Sequence, residues 1–153
     1  MDGQKERQDK MKVRDLMTAD PIVSKADVTV EHILALMQKA SIRHIPIVDE
    51  KGLFGVISDR DLMFLHGLPG VIDSIDEQDV RQVLEAPVSL VMKSRFLVDR
   101  DVVTVGEDAP VREAVNILVA SKVGALPVVD DDDQVVGVLS PIDILRWVAD
   151  EGL

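Results

Sequence analysis

A chain of 153 residues, 46% hydrophobic and 29% charged, has the composition of a globular fold and the length of one domain, or of two small halves sharing a core. It contains no cysteine, which excludes a disulfide framework, thiolate ligands and cysteine-based catalysis, and no apolar run approaches the roughly 20 residues that span a bilayer. A formal net charge of −11, with no basic stripe interleaved with aromatics, argues against direct nucleic-acid binding, although a few local donors can still hold a small phosphorylated ligand.

Residues 1–11 read as a charged tail without the apolar stretch of a secretory signal, so a cytoplasmic location without membrane association is expected. A short lead-in, Val13-Arg14-Asp15-Leu16-Met17, precedes an expected strand at Ile22-Val23. Val30, Ile33, Leu34 and Met37 recur at i, i+3, i+4 and i+7, which predicts a helix from about residue 29 with one apolar face. Two β-rich runs, Ile45 to Val48 and Leu53 to Ile57, flank a turn and predict a hairpin, followed by a helix from Asp59 to Leu65. Residues 67–87 read as a linker with a short helix near Glu77 to Leu84.

The pattern then starts again. Val88-Ser89-Leu90-Val91-Met92 is a second lead-in, and Val102 to Val105 holds the expected strand. Val111, Ala114, Val115 and Leu118 give the same apolar helical face, with Pro110 suited to its first turn. Leu126 to Val129 and Val135 to Leu139 form the second hairpin, and a helix from Pro141 to Ala149 closes the chain.

The two halves align residue by residue. At a constant offset of 81, Asp27, Val30, Pro46, Val48 and Asp49 meet Asp108, Val111, Pro127, Val129 and Asp130. One extra residue in the later turn moves the offset to 82, after which Gly55, Val56, Ser58 and Asp61 meet Gly137, Val138, Ser140 and Asp143. The expected architecture is therefore α+β, two β-α-β-β-α units covering residues 12–66 and 88–150.

The lead-in Val13 to Thr18, the passage from Ile45-Pro46 to Asp49, the run Gly55 to Leu62 and their repetition through Gly137 to Ile144 resemble a tandem pair of cystathionine β-synthase (CBS) domains, a Bateman module, over about residues 12–150. The resemblance implies two pseudo-symmetric units packed through their sheets, two clefts for AMP, ADP, ATP or another adenosine derivative, and a homodimer formed through the helices.

Under that resemblance the first cleft would use Ile22, Arg43, His44, Ile45, Pro46, Ser58, Arg60 and Asp61, and the second Val103, Leu126, Pro127, Ser140 and Asp143. Ser58 and Ser140 stand where a strand hands over to a helix, and unpaired N–H groups there favour phosphate. Asp61 and Asp143, one turn on, can accept hydrogen bonds from the cis hydroxyls of a ribose. The same S-x-x-D spacing is equally a helix-capping box. Ile22, Val23, Ile45 and Pro46, with counterparts Val103, Thr104, Leu126 and Pro127, would line an apolar wall for adenine; ordinary sheet core is the alternative. Arg43, His44 and Arg60 align with Gly124, Ala125 and Ile142, so the first cleft is expected to prefer a phosphorylated adenosine and the second to be weaker, to take a less charged ligand, or to stay empty.

No catalytic residue is expected, because a nucleophile elbow, Walker loop and G-x-G-x-x-G are all missing. No metal site is expected either. His32 and His66 lack clustered partners, and Asp130 to Asp133 lack the other ligands of a calcium loop and read as a solvated turn. The expected function is a nucleotide sensor acting on a separate, unidentified effector protein and requiring no cofactor. The alternative is a ligand-independent interaction scaffold, with Phe64, Leu65, Trp147 and Val148 as candidate surface residues.

Overall fold

The computed structural model describes residues 3, 6, 10–66, 77–95, 102–121 and 123–151, apart from the side chains of 64–66 and 94–95. In chain order the elements are α1 (Val13–Leu16), β1 (Thr18–Ala19), β2 (Ser24–Lys25), α2 (Val30–Ala40), β3 (His44–Asp49), β4 (Gly52–Ser58), a 3-10 helix (Arg60–His66), α3 (Glu77–Glu85), α4 (Val88–Arg95), β5 (Val105–Gly106), α5 (Val111–Ser121), β6 (Leu126–Val129), β7 (Val135–Leu139) and α6 (Pro141–Glu151).

Two compact units result, one of residues 23–101 and the other of 1–22 together with 102–153. In the first, β2 runs parallel to β3 and β3 antiparallel to β4, giving the sheet order β2-β3-β4. Val30, Ile33 and Met37 turn the apolar face of α2 onto Ile45, Ile47 and Ile57. Thr29 caps that helix by accepting the His32 N–H, and Ser41 ends it in the left-handed conformation at φ 53°. In the second unit β5, β6 and β7 repeat this arrangement, and Val111, Ala114 and Leu118 are the buried residues of α5. Even the register slip recurs, between Ile47 and Val48 and between Val128 and Val129.

The units do not follow the boundaries of the sequence repeat. The first lead-in packs with the second repeat: Val13 N–H donates to Ala109 C=O at 2.9 Å, Arg14 N–H to Glu107 C=O at 2.9 Å, and Val111 N–H to Met11 C=O at 3.0 Å. The second lead-in returns the exchange at equivalent positions, Val88 N–H to Val28 C=O at 2.7 Å, Ser89 N–H to Ala26 C=O at 3.1 Å, and Val30 N–H to Ala86 C=O at 3.0 Å. Residues 12–22, read from sequence as the start of the first unit, therefore complete the second. Residues 88–95 likewise complete the first, where Val88, Val91 and Met92 join the core. Helix α3, read as part of a linker, packs on α2 in the first unit, and residues 67–76 lie outside the described part.

The strands before α2 and α5 are shorter and later than expected. They are the two-residue pairs Ser24–Lys25 and Val105–Gly106, while Ile22, Val23 and Val102 are exposed by about two-fifths, at 40%, 40% and 41%. Strand β1 was not expected; it joins the edge of the second sheet through Thr18 opposite Val138 and Ala19 opposite Gly137. Gly137 is buried beneath it, where a Cβ would collide with Met17 Sδ and approach Thr18 C=O to 3.1 Å.

Candidate functional site

The first candidate cluster lies at one end of the β3–β4 hairpin. Its register sets His44 opposite Ser58, and Asp59 N–H donates to Arg43 C=O at 2.9 Å, so the start of β3 meets the end of β4 and the helix beyond it. Arg43, His44, Ser58, Arg60 and Asp61 are thereby gathered on neighbouring backbone, with both arginines exposed and the other three half-buried. Ser58 and Asp61 form a reciprocal box: Ser58 N–H donates to Asp61 Oδ2 at 2.8 Å, and Asp61 N–H to Ser58 Oγ at 3.2 Å.

The equivalent cluster in the second unit has the same box and different surroundings. Ser140 N–H donates to Asp143 Oδ2 at 2.8 Å and Asp143 N–H to Ser140 Oγ at 3.4 Å. Here the serine hydroxyl also donates to Asp143 Oδ2, at 3.0 Å. In the first box Ser58 Oγ accepts from the Asp61 N–H. Around the second box stand exposed Gly124, buried Ala125 and exposed Ile142.

The two helices that start there also differ. Residues Arg60–His66 form a 3-10 helix, with Leu62 N–H donating back three residues to Asp59 C=O at 3.1 Å, where the sequence reading expects an ordinary helix. Helix α6 is an 11-residue α-helix with Pro141 at its first position and the Ile144 N–H reaching Ser140 C=O at 3.4 Å. In both boxes the carboxylate caps through Oδ2, and capping alone does not separate the two readings of S-x-x-D.

The apolar candidates divide. Ile45 and Leu126 are fully buried, and Pro46 and Pro127 are buried beside them, so these side chains are sheet core rather than an open wall. Val23 immediately precedes β2, whose Ser24 lies opposite Ile47, and its side chain is exposed. Ile22 is equally exposed but is counted with the other compact unit. Val103 is half-buried and lines a groove of about 670 Å³ along α5 with Pro110, Arg112, Glu113, Asn116 and Ile117; Leu126, Pro127, Ser140 and Asp143 do not line it.

Of the surface candidates, Trp147 and Val148 are half-buried, and the side chains of Phe64 and Leu65 lie outside the described part. The exposed apolar residues of α6 are instead Ile142 and Leu145, at 57% and 61%. Their i, i+3 spacing was available in the sequence. Among the described residues, no helix is long and apolar enough to cross a membrane, and no group of three His, Asp or Glu could hold a metal ion.

Comparison with known proteins gives a consistent picture. The profile of the CBS domain family matches residues 13–68 and again 94–150. An uncharacterised Methanocaldococcus jannaschii protein, MJ1225, is 28% identical over 137 residues; the match takes in 90% of this chain and 47% of that relative, so the chain spans about half its length. Among solved structures, the CBS domain pair of protein MJ0100, in complex with 5′-methylthioadenosine and S-adenosyl-L-methionine, is similar with a TM-score of 0.67 and 24% identity, covering 93% of this chain and 98% of that one. CBSX2 in complex with AMP gives a TM-score of 0.65 at 24% identity, covering 92% of this chain and 97% of that one.

Proposed function

Since the chain belongs to the CBS domain family, we propose that it is a non-catalytic regulatory module whose first junction binds an adenosine-containing ligand of the AMP, ADP or ATP type. The observation that carries this reading is the gathering of Arg43, His44, Ser58, Arg60 and Asp61 at one end of the first hairpin. The capped carboxylate of Asp61 keeps one oxygen for ribose hydroxyls. The Ser58 hydroxyl and the Arg43 and Arg60 guanidinium groups supply donors and positive charge for phosphate. Exposed Val23 offers apolar surface to the base.

In the second junction, Ser140 and Asp143 serve the corresponding roles with Gly124, Ala125 and Ile142 in place of Arg43, His44 and Arg60, so it takes an uncharged or weakly charged adenosine derivative, or none. Val103, Leu126 and Pro127 contribute there by backbone more than by side chain, as Ile45 and Pro46 do in the first. The ligand complexes of MJ0100 and CBSX2 support an adenosine ligand class for this fold.

Regulation follows if the ligand binds two states of the module unequally. The module then acts in the cytoplasm as a homodimer on a separate effector protein, without membrane or nucleic acid. Thermal unfolding with AMP, ADP, ATP, S-adenosylmethionine and NADH tests the reading. A ligand at about 100 times its Kd adds about 2.7 kcal/mol, which raises the midpoint by roughly 5–10 °C for a chain of this size. Asp61→Asn removes that shift. Exposed Ile142 and Leu145 favour the alternative of a ligand-independent interaction scaffold, which stands if none of these compounds stabilises the protein and Asp61→Asn and Asp143→Asn are silent.

A further inference from the structure

The exchanged lead-in segments are equivalent in backbone and unequal in chemistry. In the second, Val88, Val91 and Met92 are all buried, and it carries the uncharged Pro87 and Ser89 where the first has Lys12 and Arg14. In the first, Val13 alone is fully buried, and the aligned Leu16 and Met17 are only half-buried. To its backbone bonds and the β1–β7 pairing it adds exposed ion pairs that, among the described residues, the second lead-in lacks: Lys12 Nζ lies 3.1 Å from Asp108 Oδ1, Arg14 Nη2 lies 2.9 Å from Glu107 Oε1, and Arg14 also pairs with Asp108. Asp27 and Ala26, at the matching positions of the first repeat, offer no such pair of carboxylates.

We propose that residues 12–19 form an electrostatically latched strap that opens locally, before the rest of its unit unfolds, whereas the second lead-in stays docked. The proposal goes beyond the nucleotide reading and does not depend on it. Exposed ion pairs weaken as salt screens them, while burial of Val88, Val91 and Met92 does not. Opening would lift β1 from the edge of β7 and Met17 from Gly137, two and three residues before the Ser140–Asp143 box. The unit would then have two arrangements, and whatever pulls on the N-terminal side of Lys12 could bias them.

Amide hydrogen exchange on the full chain tests this. The reporters are the Val13 and Arg14 N–H groups in the strap and the Val88 and Ser89 N–H groups in its counterpart. Between about 0.02 M and about 1 M sodium chloride, the strap amides should exchange up to about fivefold faster, with Val88 and Ser89 unchanged. Arg14→Gln should show the faster rate already at low salt, and Arg14→Lys should keep the salt dependence. The proposal is overturned if all four amides exchange at one slow rate that salt does not alter. Should Arg14→Gln fail to fold, the salt comparison on the unaltered chain decides alone.

Discussion

At the first hairpin-to-helix junction, Ser58 and Asp61 share neighbouring backbone with two exposed arginines at the head of a 3-10 helix. At the second, Gly124, Ala125 and Ile142 hold the aligned positions beside Ser140 and Asp143 at the head of an α-helix. The hydrogen-bonded box is the same to within a few tenths of an ångström, 2.8 and 3.2 Å against 2.8 and 3.4 Å. Duplication preserved what the fold needs, a capped turn, and left the neighbours free to diverge. On the proposed reading, ligand discrimination resides in the residues around the box, not in the box itself.

The largest test asks whether the scaffold is as symmetric as it looks. Ile45→Ala and Leu126→Ala each empty a fully buried site in corresponding strands, and each should cost about 3 kcal/mol in denaturant unfolding. A silent change at either would break the equivalence. Next comes charge: the double variant Arg43→Ala, Arg60→Ala should weaken AMP binding by at least about tenfold, at about 1.4 kcal/mol per factor of ten. Adenosine binding should be nearly unchanged, because it carries no phosphate.

Smaller effects separate the two helices. Asp143→Ala removes the carboxylate that closes the box on an 11-residue α-helix and should cost about 1 kcal/mol, with Asp61→Ala costing less because the 3-10 helix it serves is weaker. Thermal unfolding of the two variants without ligand would sharpen the distinction. The smallest effect concerns pH and the strap. The side-chain hydrogen bond from Lys12, assisted by the nearby charges of Arg14 and Lys12, holds the Asp108 carboxyl below its ordinary value of 3.8. Its contribution is thus present above that value and lost as pH falls through the lowered one. Wild type and Asp108→Asn should differ slightly in melting temperature near neutrality, begin to converge as pH falls below about 3.8, and coincide below the lowered value.

Much of the architecture was legible because it is local. Helices α2 and α5 begin within a residue of the positions their apolar spacing marks, and β6 and β7 coincide with the runs Leu126 to Val129 and Val135 to Leu139. Strands β2 and β5 lie later than the apolar residues suggest because two residues are too few to show alternation, and apolar Ile22-Val23 is exposed rather than paired. The exchange of lead-ins was hidden for another reason: each pairs with a partner far along the chain, and similarity between halves says nothing about which half a segment joins. At the candidate site, S-x-x-D correctly marked both junctions. It could not reveal that in the second box the Ser140 hydroxyl also donates to Asp143 Oδ2, at 3.0 Å.

Titration calorimetry with AMP on the unaltered chain tests the central claim most directly. Unequal neighbours around equal boxes predict one tighter AMP site, weakened by Arg43→Ala with Arg60→Ala, and a second that is much weaker or silent. Two equally tight AMP sites, both indifferent to loss of those arginines, would contradict it.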